Sequence, residues 1–146
     1  MQTMAIETHS FLKGLDKHHI ENLAEFASEV RFQEGEIIYR KDEIISKVYL
    51  IIQGKVSILS TPNKKVTMQT IGGDEVLDCC LFFSPHTCQF EVRAVAFTQT
   101  IAIDCKGFQR MCEDDHEFGC EMYKRIVSIN VERYNAYILQ LLDIYE

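Results

Sequence analysis

The feature that most constrains the fold is a change of hydrophobic period along the chain. From Val30 to Asp104, short apolar segments rich in β-branched and aromatic residues are interrupted by "EGE", "QG" and "TPNKK". Segments such as "KVSI" and "VTMQTI" alternate apolar and polar residues, as strands with one buried face do. Gln53-Gly54 is predicted to form a two-residue hairpin turn. Several short strands at this spacing predict a small β-sandwich or barrel.

Helical periods lie on both sides of these strands. Ile20, Leu23, Phe26 and Ala27 fall on one face of a helix that Asp16 could cap. After the strands, "CKGFQRMCEDD" predicts a short helix, and the segment that begins at "HEFGC" predicts a long one. The prediction is a single domain over 1–146, mainly β with flanking helices: N-terminal helices at about 8–28, a β-roll at about 30–104 and C-terminal helices at about 105–146.

Length and charge exclude several classes of protein. The chain has 146 residues, the size of one domain, and a formal net charge of −7. That charge argues against nonspecific binding of DNA, which needs clustered basic residues. No apolar run reaches the ~18 residues that span a bilayer, and "MQTMAIETHSF" lacks the pattern of a secretory signal. We therefore expect a cytoplasmic location, with no membrane contact.

Six cysteines occur without any C-x-x-C pair, so the sequence predicts no metal site of that kind. Most of the thiols are predicted to be small core hydrophobes. The six are Cys79, Cys80, Cys88, Cys105, Cys112 and Cys120.

Five segments, in this order along the chain, carry a resemblance to a known family. They are "FLKGL" followed by "IENL", then "FQEGEII", "VYLIIQGKV", "IGGDEV", and "VRAVA" followed by "IAID". The chain resembles the cyclic nucleotide-binding domain of the catabolite-activator (Crp/Fnr-type) regulators. The resemblance implies a double-stranded β-helix, or jelly-roll, with an N-terminal helix and a long C-terminal helix.

The segments "CQFEVRA" and "LLDIY" bring the chain nearest to the free-standing bacterial form of this family, which has no DNA-binding domain. No helix-turn-helix follows the roll, so direct binding of DNA is not expected.

The same resemblance places a phosphate cassette in "GGDEVLDCCLFFSPHTCQFEVRA". In the family, backbone N–H groups of a short helix hold the cyclic phosphate and a carboxylate holds the ribose hydroxyl, within "F-G-E". Here Val76, Leu77 and Asp78 take those positions, and Cys79 and Cys80 follow. Leu77 replaces the glycine that gives a ligand access to the backbone.

The resemblance also implies an arginine that pairs with the phosphate, and its position falls on Cys88. A thiol cannot replace a fixed positive charge. Arg93 is near in sequence but follows the valine. The candidate ligand-binding residues of this degenerate cassette are Val76, Leu77, Asp78, Cys79, Cys80, Cys88 and Gln89.

These residues favour a non-catalytic sensor or regulatory module whose ligand is uncertain, with no cofactor expected. One alternative is a true receptor for cAMP, cGMP or another small anionic ligand. A second is a thiol-based metal, haem or redox sensor, in which Cys79, Cys80, His86 and Cys88 converge.

An enzyme is not expected, because the chain contains no P-loop, G-x-G-x-x-G or G-x-S-x-G motif. Asp114 and Asp115 beside His116 are better explained as caps of the long helix.

The long helix carries apolar residues that predict a homodimer. We expect the contact to involve Met122, Ile126, Ile129, Tyr137 and Leu141. The resemblance points the same way, since the equivalent helix commonly pairs two subunits. The alternatives are a helix that folds back onto the roll and one that docks on another protein.

Overall fold

The computed structural model describes residues 6–59, 67–77 and 87–145. The helices are α1 (Lys17–Ala24), α2 (Cys105–Asp114) and α3 (His116–Tyr145). The strands are β1 (Ala27–Phe32), β2 (Ile37–Tyr39), β3 (Lys47–Gln53), β4 (Lys55–Leu59), β5 (Thr67–Gly72), β6 (Val76–Leu77), β7 (Glu91–Ala94) and β8 (Thr98–Asp104). The predicted fold class, mainly β with flanking helices, is confirmed.

These strands form two four-stranded antiparallel sheets. The first sheet has the order β1-β8-β3-β6, and the second has the order β2-β7-β4-β5. Consecutive strands therefore alternate between sheets at several points, which is the topology of a roll rather than of a meander.

Apolar residues in register across neighbouring strands form the core of the roll. In the first sheet, Val48 lies opposite Ile103 and Leu50 lies opposite Ile101, and all four are buried. In the second sheet, Val56 lies between Ile71 and Ala94, which are also buried. Branched side chains pack well on such pleated surfaces, so these pairs stabilise the sheets.

The N-terminal helix ends earlier than the helical period predicts. Helix α1 stops at Ala24, and Ala27 is the first residue of β1. Strand β1 pairs with β8 along its whole length, from Ala27↔Ile103 to Phe32↔Thr98. This ladder satisfies backbone groups that a longer helix would have paired internally, so tertiary pairing overrides the local period. Asp16 precedes the helix but makes no side-chain capping hydrogen bond.

The hairpin predicted at Gln53-Gly54 is wrong. Strand β3 pairs with β8 and β6, and strand β4 pairs with β5 and β7, so the chain crosses between sheets at Gly54. Gly54 has φ +114°, and a Cβ there would lie 2.6 Å from the Phe97 carbonyl oxygen. A residue with a side chain is excluded by both the backbone angle and this contact.

The chain divides into two compact units, Met1–Arg110 and Met111–Glu146. The single-domain prediction stays a prediction. None of the helices in the described ranges combines the length and apolar character that crossing a bilayer demands.

Within the second unit, α3 begins with a side-chain cap. Asp115 Oδ1 accepts a hydrogen bond from the Phe118 N–H at 3.1 Å, as the sequence predicts for this residue. Gly119 has a low helix propensity, but it is required at this position. A Cβ on it would lie 2.9 Å from the Cys112 carbonyl oxygen.

Helix α3 is buried only near its start. Met122 and Ile126 are buried, Ile129 and Tyr137 are half-buried, and Leu141 is exposed. Met122 and Ile126 thus add nothing to the exposed apolar surface that the sequence attributes to them. Nine other apolar residues of α3 are exposed. Five of them have exposed fractions between 37% and 65% and recur at intervals of three or four residues: Val127, Val131, Tyr134, Ile138 and Leu141. The other four are Tyr123, Leu139, Leu142 and Ile144.

Candidate ligand-binding site

Two candidate site residues lie in a strand. Val76 and Leu77 form β6, where they pair with Leu50 and Tyr49 of β3, and both side chains are buried. Leu77 is therefore part of the packed first sheet. Asp78, Cys79, Cys80 and His86 fall outside the described residues, so their predicted roles stay predictions.

Cys88, at the position of the expected arginine, is held by its neighbours. Its side chain is 4% exposed, and Sγ donates to the Phe90 carbonyl oxygen at 2.9 Å. Its backbone N–H donates to the Glu43 carbonyl at 3.0 Å, and its carbonyl accepts from the Asp42 N–H at 2.7 Å. The next residue, Gln89, is exposed. Position 88 thus contributes a small packed side chain and no positive charge.

Arg93 carries the cation nearest in sequence, but β7 directs it elsewhere. Side chains alternate along a strand, and Val92 and Ala94 occupy the fully buried face. Arg93 lies on the opposite face, where its Nη2 is 3.2 Å from Glu91 Oε2. Its Nε is buried without a hydrogen-bond partner in the structure. The guanidinium is already neutralised by a carboxylate on its own strand.

Thiols in the described part of the chain do not form a metal centre. Among residues 6–59, 67–77 and 87–145, no three His, Cys, Asp or Glu side chains converge as metal ligands do. The cysteines in these ranges, Cys88, Cys105, Cys112 and Cys120, form no disulfide bonds with one another. Burial, with the charges of Asp115 and Glu113, raises the pKa of Cys112 to about 12, so this thiol is protonated at neutral pH.

The turn that leads into β6 is fixed by residues that the sequence does not single out. Asp74 adopts a left-handed conformation, with φ 66°. Its N–H donates to the Ile51 carbonyl at 2.8 Å, and its carboxylate accepts from the Ser10 N–H at 2.9 Å and from Ser10 Oγ. "GGD" is a recognisable turn signal. No local pattern reveals that residue 10 lies against it.

Comparisons with known proteins agree with this architecture. The family model described as "Cyclic nucleotide-binding domain" matches residues 29–115. A curated relative, the cAMP-dependent protein kinase regulatory subunit of Dictyostelium discoideum, is 25% identical over 146 residues. The match covers 91% of this chain and 40% of that protein, so the chain spans less than half the length of this relative.

Solved structures share the fold at low sequence identity. A putative cyclic nucleotide-binding protein from Geobacter metallireducens superposes with a TM-score of 0.81 at 14% identity, covering 92% of this chain and 98% of that chain. The N-terminal domain of a transcriptional regulator from Streptomyces coelicolor gives a TM-score of 0.69 at 16% identity, covering 90% and 94%. With the family match extending from β1 to the start of α3, the chain belongs to the cyclic nucleotide-binding domain family.

Proposed function

We propose that this chain is a non-catalytic regulatory module whose roll does not hold a cyclic phosphate in the manner of its family. The environment of Cys88 carries this proposal. The buried anion of a cyclic nucleotide needs a compensating charge, and position 88 supplies only a thiol engaged with the Phe90 carbonyl. A regulatory role agrees with the curated relative, which is a kinase regulatory subunit.

Arg93 is a poor substitute for the missing charge. To reach a ligand on the Val92 and Ala94 side of the sheet, its side chain would have to leave Glu91 and pass to the other face of β7. A shift of β7 by one residue in register would bring Arg93 to that face. The same shift would move every other side chain of the strand to the wrong face.

Calorimetry with cAMP and cGMP tests the proposal directly. We expect no saturable binding at low micromolar concentration. A Kd below about 1 μM, equivalent to roughly −8 kcal/mol, would contradict the proposal and favour a true receptor. The first residue to examine would then be Arg93.

A matched pair of substitutions at position 88 separates charge from size. If the rest of the cassette is intact, Cys88→Arg should tighten cAMP binding, because a hydrogen bond to a charged group contributes about 1.5–3 kcal/mol. Cys88→Gln adds bulk without charge and should give no gain. Circular dichroism of both variants checks that the buried site still folds. Equal effects of Arg and Gln would show that the missing charge is not what limits binding.

We also propose that the module forms a homodimer through α3. Val127, Val131, Tyr134, Ile138 and Leu141 are spaced 4, 3, 4 and 3 residues apart, which places them on one stripe of the helix. Their exposure gives the described part of α3 an apolar stripe of the kind that a second copy of the same helix covers.

A further inference from the structure

The N-terminal segment is attached to the turn before β6 by a buried histidine. His9 is 4% exposed, and its Nε2 lies 3.1 Å from the Ile51 carbonyl oxygen. Its Nδ1 accepts a hydrogen bond from the Phe11 N–H at 3.1 Å. Both ring nitrogens are thus engaged, one with an acceptor and the other with a donor.

These two partners define one protonation state. A carbonyl can only accept, so Nε2 carries the proton, and an N–H can only donate, so Nδ1 is bare. The ring is the neutral Nε2–H tautomer. A second proton on Nδ1 would face the Phe11 N–H, so protonation would remove that hydrogen bond and place a charge in a buried site.

The contacts of His9 are linked to the turn before β6. The Ile51 carbonyl accepts from both His9 and the Asp74 N–H, and Ser10 binds the Asp74 carboxylate. The left-handed backbone of Asp74 is a conformation that persists where surrounding contacts hold it. Loss of the histidine contact would therefore loosen a strained turn that leads directly into β6.

Burial, neighbouring charges and hydrogen bonds all influence the protonation of His9 and Asp74. Burial lowers the pKa of His9. The carboxylate of Asp74 opposes that shift by attracting the imidazolium, and hydrogen bonds to the backbone of Ile51 and Glu75 oppose it as well. Hydrogen bonds from Ser10 lower the pKa of Asp74, and the charges of His9 and Lys13 lower it further. Burial is the larger influence on His9, so the ring remains neutral at pH 7.

We propose that His9 is a pH-sensitive latch: its neutral ring fastens residues 8–13 to the turn at 72–75, and its protonation in mild acid releases them. The pH range of this release follows from the direction in which folding shifts the pKa of His9. Since the pKa is lower in the folded state, the stabilisation is complete above the ordinary value of about 6.5 and is lost as pH falls from there through the folded value.

The test is an NMR titration of the full chain between pH 7.5 and 5, combined with amide hydrogen exchange corrected for the intrinsic rate. We expect His9 to titrate below 6.5, and protection of the Phe11 and Asp74 amides to fall by roughly tenfold for each pH unit by which its pKa is lowered. In His9→Gln, the dependence of that protection on pH should disappear. His18→Gln, at an exposed position, should leave it unchanged.

A second variant keeps the proposal testable if His9→Gln does not fold. Asp74→Asn preserves an acceptor for Ser10 and a residue type that tolerates positive φ, but removes the charge that stabilises the imidazolium. The His9 titration should therefore move to lower pH. Asp42→Asn, at the other described non-glycine residue with positive φ, is the matched control and should not move it. Titration of His9 at its ordinary value with unchanged protection, or the same acid response in His9→Gln, would overturn the latch.

Discussion

Two cysteines near the junction of α2 and α3 have contrasting environments. Cys112 is partly buried beside acidic groups, and Cys120 is exposed on α3. Thiolates, not thiols, react with electrophiles, so a pKa of about 12 leaves Cys112 nearly inert at neutral pH. A redox role would have to involve other thiols.

We accordingly predict selective alkylation of the native protein. A maleimide at pH 7.5 should modify Cys120 much faster than Cys112, and peptide mass spectrometry can assign each site. In urea the difference should vanish, because the burial that protects Cys112 is lost. Equal rates in the folded protein would contradict this prediction and show that Cys112 is a reactive thiol.

At the scale of single elements, α2 is placed by a glycine. Asp104 Oδ2 caps its first turn by accepting from the Gly107 N–H at 2.8 Å. A Cβ at Gly107 would lie 2.2 Å from Cδ1 of Phe26, so the helix approaches the segment between α1 and β1 too closely for a side chain. Helix propensity and packing therefore oppose one another at this position.

We predict that packing wins in Gly107→Ala. Alanine gains about 1 kcal/mol of helix propensity, whereas overpacking of a core costs roughly 1–3 kcal/mol. The midpoint of urea unfolding should fall. Lys106→Ala, the exposed neighbour, should change stability by less than about 0.5 kcal/mol. A more stable Gly107→Ala would mean that the Phe26 ring moves aside at little cost.

Sequence periodicity predicts the class of each element better than its partner. The alternation in "KVSI" and the helical period after Asp104 are confirmed by β4 and α3. Gly54 signals a turn whether the chain forms a hairpin or crosses between sheets. The crossing depends on the approach of Phe97 and Thr98, which are more than forty residues away in the chain. The attachment of Ser10 to Asp74 spans 64 residues and is equally invisible locally.

The candidate site was predictable only in part. The resemblance locates the missing charge at Cys88, but the contacts of Cys88 with Glu43 and Phe90 depend on how two loops meet. Similarly, the sequence places an apolar face on the long helix without indicating that Met122 and Ile126 are buried.

At the scale of the whole molecule, the proposed homodimer depends on α3. Its 30 residues correspond to about 45 Å of helix. The apolar stripe from Val127 to Leu141 occupies a large part of that length. A charge introduced into such a stripe is desolvated only if a partner helix covers it.

We predict that Tyr134→Glu converts a dimer into folded monomers. Tyr134 is 65% exposed in the single chain, so the substitution should leave the fold intact. Ala136→Glu places the same charge about 200° around the helix and should leave the dimer unchanged. Light scattering measures the mass, and circular dichroism checks the fold. A wild-type monomer at high concentration would remove the dimer and leave the stripe for a different protein.

The pairing of β1 with β8 has a consequence for biosynthesis. Among the described strands, β1 pairs with β8, the last strand of the roll. Most of the paired residues are 70 or more positions apart in the chain. Until β8 has left the ribosome, β1 has no such partner and one edge of β3 is bare, so a nascent chain must carry these edges unprotected. Closure of the first sheet is therefore a late event in synthesis. A chain truncated before Thr98 would expose unpaired strand edges that can pair with other chains.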